Sequence, residues 1–263
     1  MSSWTVALCA FGAILAGAFG AVWLARRAPP DCLSDDTRYT LKVTVGLTAA
    51  VTSLILGLMI TSVRYSYSEA AADVEEYAVA LLQGDLELRD IGPPACPARN
   101  LLADYVRLIL AETWAEGEDF PAPQFETTST AQLLRMNEAV RALKPASEDQ
   151  AASRAEALAT FKALMTHRWK LSGDAVSRIP TIFILVVVGW LTLIFFSFGW
   201  FAPRNPLGLG ALVLSGLSIA SALFLVVEMG EPFAGPMRVS PAPLKDALHA
   251  MTSHGCDAAR PAP

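Results

Sequence analysis

The sequence predicts an all-α integral membrane protein with four transmembrane helices and a helical soluble insert between the second and third. Three observations carry this. Of 263 residues, 53% are apolar and only 17% charged, where soluble chains carry about 25% charged residues. The charges are absent from four long windows. The acidic residues gather between the second and third of these windows.

Each window is long enough to cross a bilayer. Met1–Ala25 has 25 uncharged residues, Lys42 and Arg64 bracket 21, Arg178 and Arg204 bracket 25, and Arg204 and Glu228 bracket 23. A hydrocarbon core of about 30 Å needs about 20 helical residues. Amides in lipid must be satisfied inside the segment, so these runs are helices. The predicted spans are 4–24, 43–63, 181–201 and 207–227. Trp4, Trp23, Tyr65 and Trp200 fall near their ends, as interfacial aromatics do. The first span has no basic residue before it and Arg26-Arg27 after it, unlike a cleaved leader. The predicted divisions are 1–63, 64–178, 179–228 and a post-membrane segment with a disordered tail over 229–263.

Arg64 to Arg178 holds 12 basic and 18 acidic residues, so the insert carries more negative charge than the whole chain's −5. Val74, Tyr77, Leu81, Leu82, Leu88 and Ile91 keep helical spacing directly after the second span, which predicts one helix running out of the membrane. Gly92-Pro93-Pro94 ends it. Further helices are predicted over 97–115, 129–143 and 147–172, with a loop at 117–128.

Four spans place both termini and the insert on one side. Arg26, Arg27, Arg38, Lys42 and Arg204 crowd the short-loop side, and the first span has no positive charge before it. By the positive-inside rule the N-terminus and the insert lie outside the cytoplasm, in a cell inner membrane. Cys96 and Cys256 share that side; the plainer reading is two unrelated thiols, the alternative a disulfide.

The second span carries two stripes. Thr44, Thr48 and Thr52 recur every four residues, and either line water or bond back to their own helix. Ala50, Leu54 and Leu58 form an apolar stripe, facing a symmetric axis, a neighbouring helix or lipid. In the first span Gly12, Ala16 and Gly20 recur every four, with Ala13, Gly17 and Ala21 beside them, a pattern for close helix packing within the chain or between subunits. Glu228 ends the fourth span, read as an interfacial residue in water or as a functional acid paired with Arg204 or Arg238. Pro232 and Phe233 turn the chain after it. No charge sits mid-span, against a proton-coupled carrier. No nucleotide, hydrolase or metalloprotease motif occurs, so no enzyme, cofactor or metal site is expected. An acidic chain without a basic patch is not expected to bind nucleic acid.

Ser53–Thr61 (SLILGLMIT) resembles the pore helix of bestrophin anion channels. Trp190–Leu193, Phe201–Asn205, Pro232–Gly235, Arg238–Ser240 and Pro243-Leu244 resemble a bacterial family of bestrophin-like membrane proteins, a likeness running from the second span to Leu248. The resemblance implies a homo-oligomeric channel for small anions, with Leu54 and Leu58 at a hydrophobic neck and Ala50 one turn earlier. It implies no calcium site, because Pro236-Met237-Arg238-Val239 stands where the animal channels carry acids. It also implies termini and insert in the cytoplasm, opposite to the charge reading. The expected partners are thus the lipid bilayer, further copies of the chain and small anions. The alternative is a non-conducting protein whose insert binds a partner or senses the cell envelope.

Overall fold

The computed structural model describes residues 3–27, 35–114, 128–174, 179–202, 205–253 and 256. Every regular element among them is helical, as the sequence predicts. The helices are α1 (Ser3–Leu24), α2 (Asp35–Ile91), α3 (Cys96–Thr113), α4 (Thr128–Ala142), α5 (Glu148–Asp174), α6 (Thr181–Trp200), α7 (Pro206–Met229) and α8 (Ala242–Ser253). Four are long and apolar enough to cross a membrane: α1, α2 from Tyr39, α6 and α7. The chain divides into two compact units, Met1–Ser66 with Ser177–Glu231, and Tyr67–Val176 with Pro232–Pro263.

In the first unit α1 packs against both α6 and α7. Its inner face is Ala10, Ile14 and Ala18, set against Val187, Leu191 and Phe195 of α6 and Leu223 of α7. The approach is close because glycines allow it. A Cβ on Gly17 would lie 2.8 Å from the Thr192 methyl, and one on Gly199 would collide with the Ala18 carbonyl. Lipid gives helices no hydrophobic drive to associate, so such packing does the work. Gly12, Ala16 and Gly20 are exposed. Within the chain the packing face is therefore Ala10, Ile14 and Ala18, not the four-residue repeat. Asn205 caps α7, accepting a 2.7 Å bond from the Gly208 amide, with Pro206 following where its missing N–H costs nothing.

Hydroxyls in the spans bond their own helices. Thr192 donates to the Val188 carbonyl, Ser197 to Leu193, Ser218 to Leu214 and Ser221 to Leu217, at 2.8–3.1 Å. Hydrocarbon offers such groups no other partner.

The second unit packs the C-terminal part of α2 with α3, α4, α5 and α8. Its core includes Tyr77, Leu81, Leu88, Leu102, Tyr105, Ile109, Met136, Phe161, Leu164 and Leu244. Gly92, at φ 87°, breaks α2 in a conformation that favours glycine, and a 3-10 turn over Pro93–Ala95 leads into α3. α8 packs on α3, although no helix was predicted over 242–253. That packing leaves the Cys96 and Cys256 Cα atoms 5.6 Å apart, and the two form a disulfide. The reading as two separate thiols is thus corrected; partners 160 residues apart leave no local signal. Of the loop predicted at 117–128 and the tail predicted at 252–263, residues 117–127, 254, 255 and 257–263 lie outside the described residues, while Thr128 begins α4 and Thr252 and Ser253 end α8.

Candidate pore-lining and turn residues

α2 runs unbroken for 57 residues. Of the most apolar window of its span only 6% of residues are buried, against 28–33% in the other three spans. Thr52 is the contrast: it is 2% exposed, so it marks the side that meets the rest of its unit. At about 100° per residue, Ala50, Leu54 and Leu58 lie about 160–240° round the helix from it. All three are exposed, Leu54 at 64% and Leu58 at 63%. They form an apolar face that the protomer leaves uncovered.

The threonine stripe takes the second of its two readings. Thr44 Oγ1 donates to the Thr40 carbonyl at 3.0 Å, Thr48 to Thr44 at 3.0 Å and Thr52 to Thr48 at 2.8 Å. Each hydroxyl proton is used within its own helix, so the stripe presents methyls and bonded oxygens.

Glu228 is 3% exposed, so its reading as a residue in water is corrected. It lies in the last turn of α7, where Val226 and Val227 are also buried. Arg204, one of its two candidate partners, lies outside the described residues. Three residues on, burial pushes the Glu231 carboxyl up, and the Glu228 charge pushes it the same way. Pro232 and Phe233 are buried and Arg238 is exposed. The Val239 amide donates to the Pro232 carbonyl at 2.7 Å, closing the turn around Gly235 at φ 72°. Trp114 Nε1 donates to the Val239 carbonyl at 2.8 Å, and its ring meets Phe233 edge-on at 5.5 Å. The turn is thereby tied to α3's end.

The profile of the bestrophin-like domain family matches residues 12–244. The chain belongs to the bestrophin-like family. It is therefore a membrane protein of that family, in contact with the lipid bilayer through its spans. No curated protein and no solved structure matches it significantly. The family match takes in the uncovered α2 face and the Pro232–Gly235 turn alike.

One constellation escaped the sequence reading. The Tyr77 and Tyr105 hydroxyls hydrogen-bond in the core of the second unit, and the His167 ring stacks on Tyr77 at 6.0 Å. Arg168 Nη2 donates to Glu112 at 3.0 Å, and Glu112 accepts from the amide and hydroxyl of Ser129 at the start of α4. Tyr77 and Tyr105 sit on the apolar faces of their helices, so sequence pattern marks them only as core. Burial pushes the Tyr105 phenol up to about 12, against a smaller downward pull from its hydrogen bond with Tyr77, and pushes Tyr77 well above its usual 10, with the charge and hydrogen bond of Tyr105 adding to the rise.

A phenol whose pKa is raised by folding keeps a proton that the unfolded chain loses. Its stabilisation is whole below pH 10 and is lost as pH rises through the folded-state value. The melting temperature in detergent should accordingly hold to about pH 9 and fall from pH 10 upward, beyond what Tyr77→Phe/Tyr105→Phe shows. Phenolate absorbance should show two tyrosines titrating late. Simultaneous titration of all five would contradict the buried pair.

Proposed function

We propose that this protein is a homo-oligomeric anion channel of the cell inner membrane, with α2 lining the pore. The observation that carries the reading is the uncovered face of Ala50, Leu54 and Leu58. A span packed against its own protomer over so little of its surface leaves a whole face free for other copies of the chain. Copies arranged about an axis cover it and leave a central opening. The family match supports the same arrangement. Leu54 and Leu58 then form a ring without fixed charge, which conducts only when wetted. Such a ring strips water from an ion and returns nothing polar, so it favours weakly hydrated anions. Iodide and nitrate should pass more readily than chloride.

Leu58→Ala widens the ring and admits water, so current in planar bilayers should rise several-fold and the preference among anions should shrink. If Leu58 is instead a packing residue, truncation opens a cavity costing roughly 2–5 kcal/mol by soluble-core precedent, and melting temperature falls with no gain of current. Folded oligomers that pass no current in either form favour the non-conducting reading, in which the insert binds a partner.

The insert and both termini are proposed to lie outside the cytoplasm. Two features support this: the disulfide Cys96–Cys256, which needs an oxidising compartment, and the positive charges on the short-loop side. Arg135 is exposed on α4. In spheroplasts, Arg135→Cys should react with a membrane-impermeant maleimide. Reaction only after permeabilisation reverses the assignment.

A further inference from the structure

The side of α2 that carries Thr52 does not close fully on its unit. Between it and α6–α7 lies a cavity of about 680 Å³, with Lys42, Thr52, Leu56, Phe195, Phe198 and Ala211 on its walls. A smaller volume of about 140 Å³ shares Lys42 and Phe198. From Lys42 to Leu56 the groove follows fourteen residues of helix, about 21 Å at 1.5 Å per residue. One leaflet of the hydrocarbon core is about 15 Å deep. The groove thus accepts the full depth of a leaflet.

Its chemistry is apolar along its length and cationic at one end. The Thr52 hydroxyl bonds the Thr48 carbonyl, so it offers carbon to the groove. Lys42 is exposed and makes no ion pair with any described residue. It directly precedes the uncharged run 43–63, which places its ammonium at headgroup level. The geometry points to an anionic phospholipid as occupant, one acyl chain in the groove and its phosphate on Lys42.

Native mass spectrometry of the delipidated full chain in neutral detergent tests this. Phosphatidylglycerol and phosphatidylcholine with the same acyl chains are added separately, and inorganic phosphate in competition. Wild type should take up one phosphatidylglycerol per chain, preferred roughly fivefold, as one lysine at an anionic headgroup supplies. Lys42→Gln should reduce phosphatidylglycerol to the phosphatidylcholine level. Ala211→Phe, in the groove, should lower uptake of both lipids, while Leu214→Phe, on an exposed face of α7, should not. Equal uptake of the two lipids by wild type overturns the proposal, as does an unchanged preference in Lys42→Gln. Displacement of phosphatidylglycerol by matched inorganic phosphate would show a free-anion site and overturn it too. So would a disulfide-linked dimer formed through Ala49→Cys, which would put a second copy in the groove. None of these readouts depends on conduction.

Discussion

Hydrocarbon has no hydrogen bonds to offer, and the structure is organised around that constraint. Each span closes its amides along its own helix, and the threonines and serines of the spans add their hydroxyls to the same ladders. Once the polar groups are closed locally, only side-chain packing remains to fix which helices touch. α1, α6 and α7 solve this with small residues: Ala10, Ala18, Gly17 and Gly199 let backbones meet where any larger residue would hold them apart. α2 has no comparable seam. Its far face carries leucines with nothing from the protomer against them. The channel reading and the lipid groove are two consequences of that one helix, on its two opposite sides.

Past Tyr67 the same helix contributes to a unit built by different rules. Burial of apolar side chains drives its assembly, and buried polar groups are tolerated where they find each other. Tyr77 meets Tyr105, Arg99 pairs with Asp85 at 2.8 Å, and Arg168 joins Glu112 to the first turn of α4. The disulfide then holds the C-terminal segment against the start of α3. A bridge closing so long a loop contributes up to about 5 kcal/mol in the chain-entropy account, by constraining the unfolded chain. The Pro232–Phe233 turn is held to the same helix by Trp114.

What the sequence disclosed is what depends on local pattern. Four charge-free windows announce four spans, and Val74, Tyr77 and Leu81 in helical step show that α2 continues beyond Arg64. What it concealed depends on tertiary partners. Gly12, Ala16 and Gly20 make the more regular repeat, yet α6 sits against Ala10, Ile14 and Ala18 because Gly199 stands opposite Ala18. α8 is short and follows a proline-rich stretch, so packing on α3 rather than propensity defines it. Cys96 and Cys256 meet only because α8 docks. Glu228 looks exposed in a sequence because acids usually are; the packing of α7's last turn buries it. The apolar stripe of Ala50, Leu54 and Leu58 was visible as a stripe, and its freedom from the protomer was not.

The proposed channel requires the uncovered α2 face to meet other copies of the chain. Its most direct test is the native mass of the purified protein in a neutral detergent at dilute concentration. We expect a single species at a small multiple of the 28.1 kDa chain mass, with Leu54→Glu, which would set a ring of like charges around the axis, reducing it toward one chain. A wild-type protein that is folded, helical and monomeric under those conditions would contradict the channel.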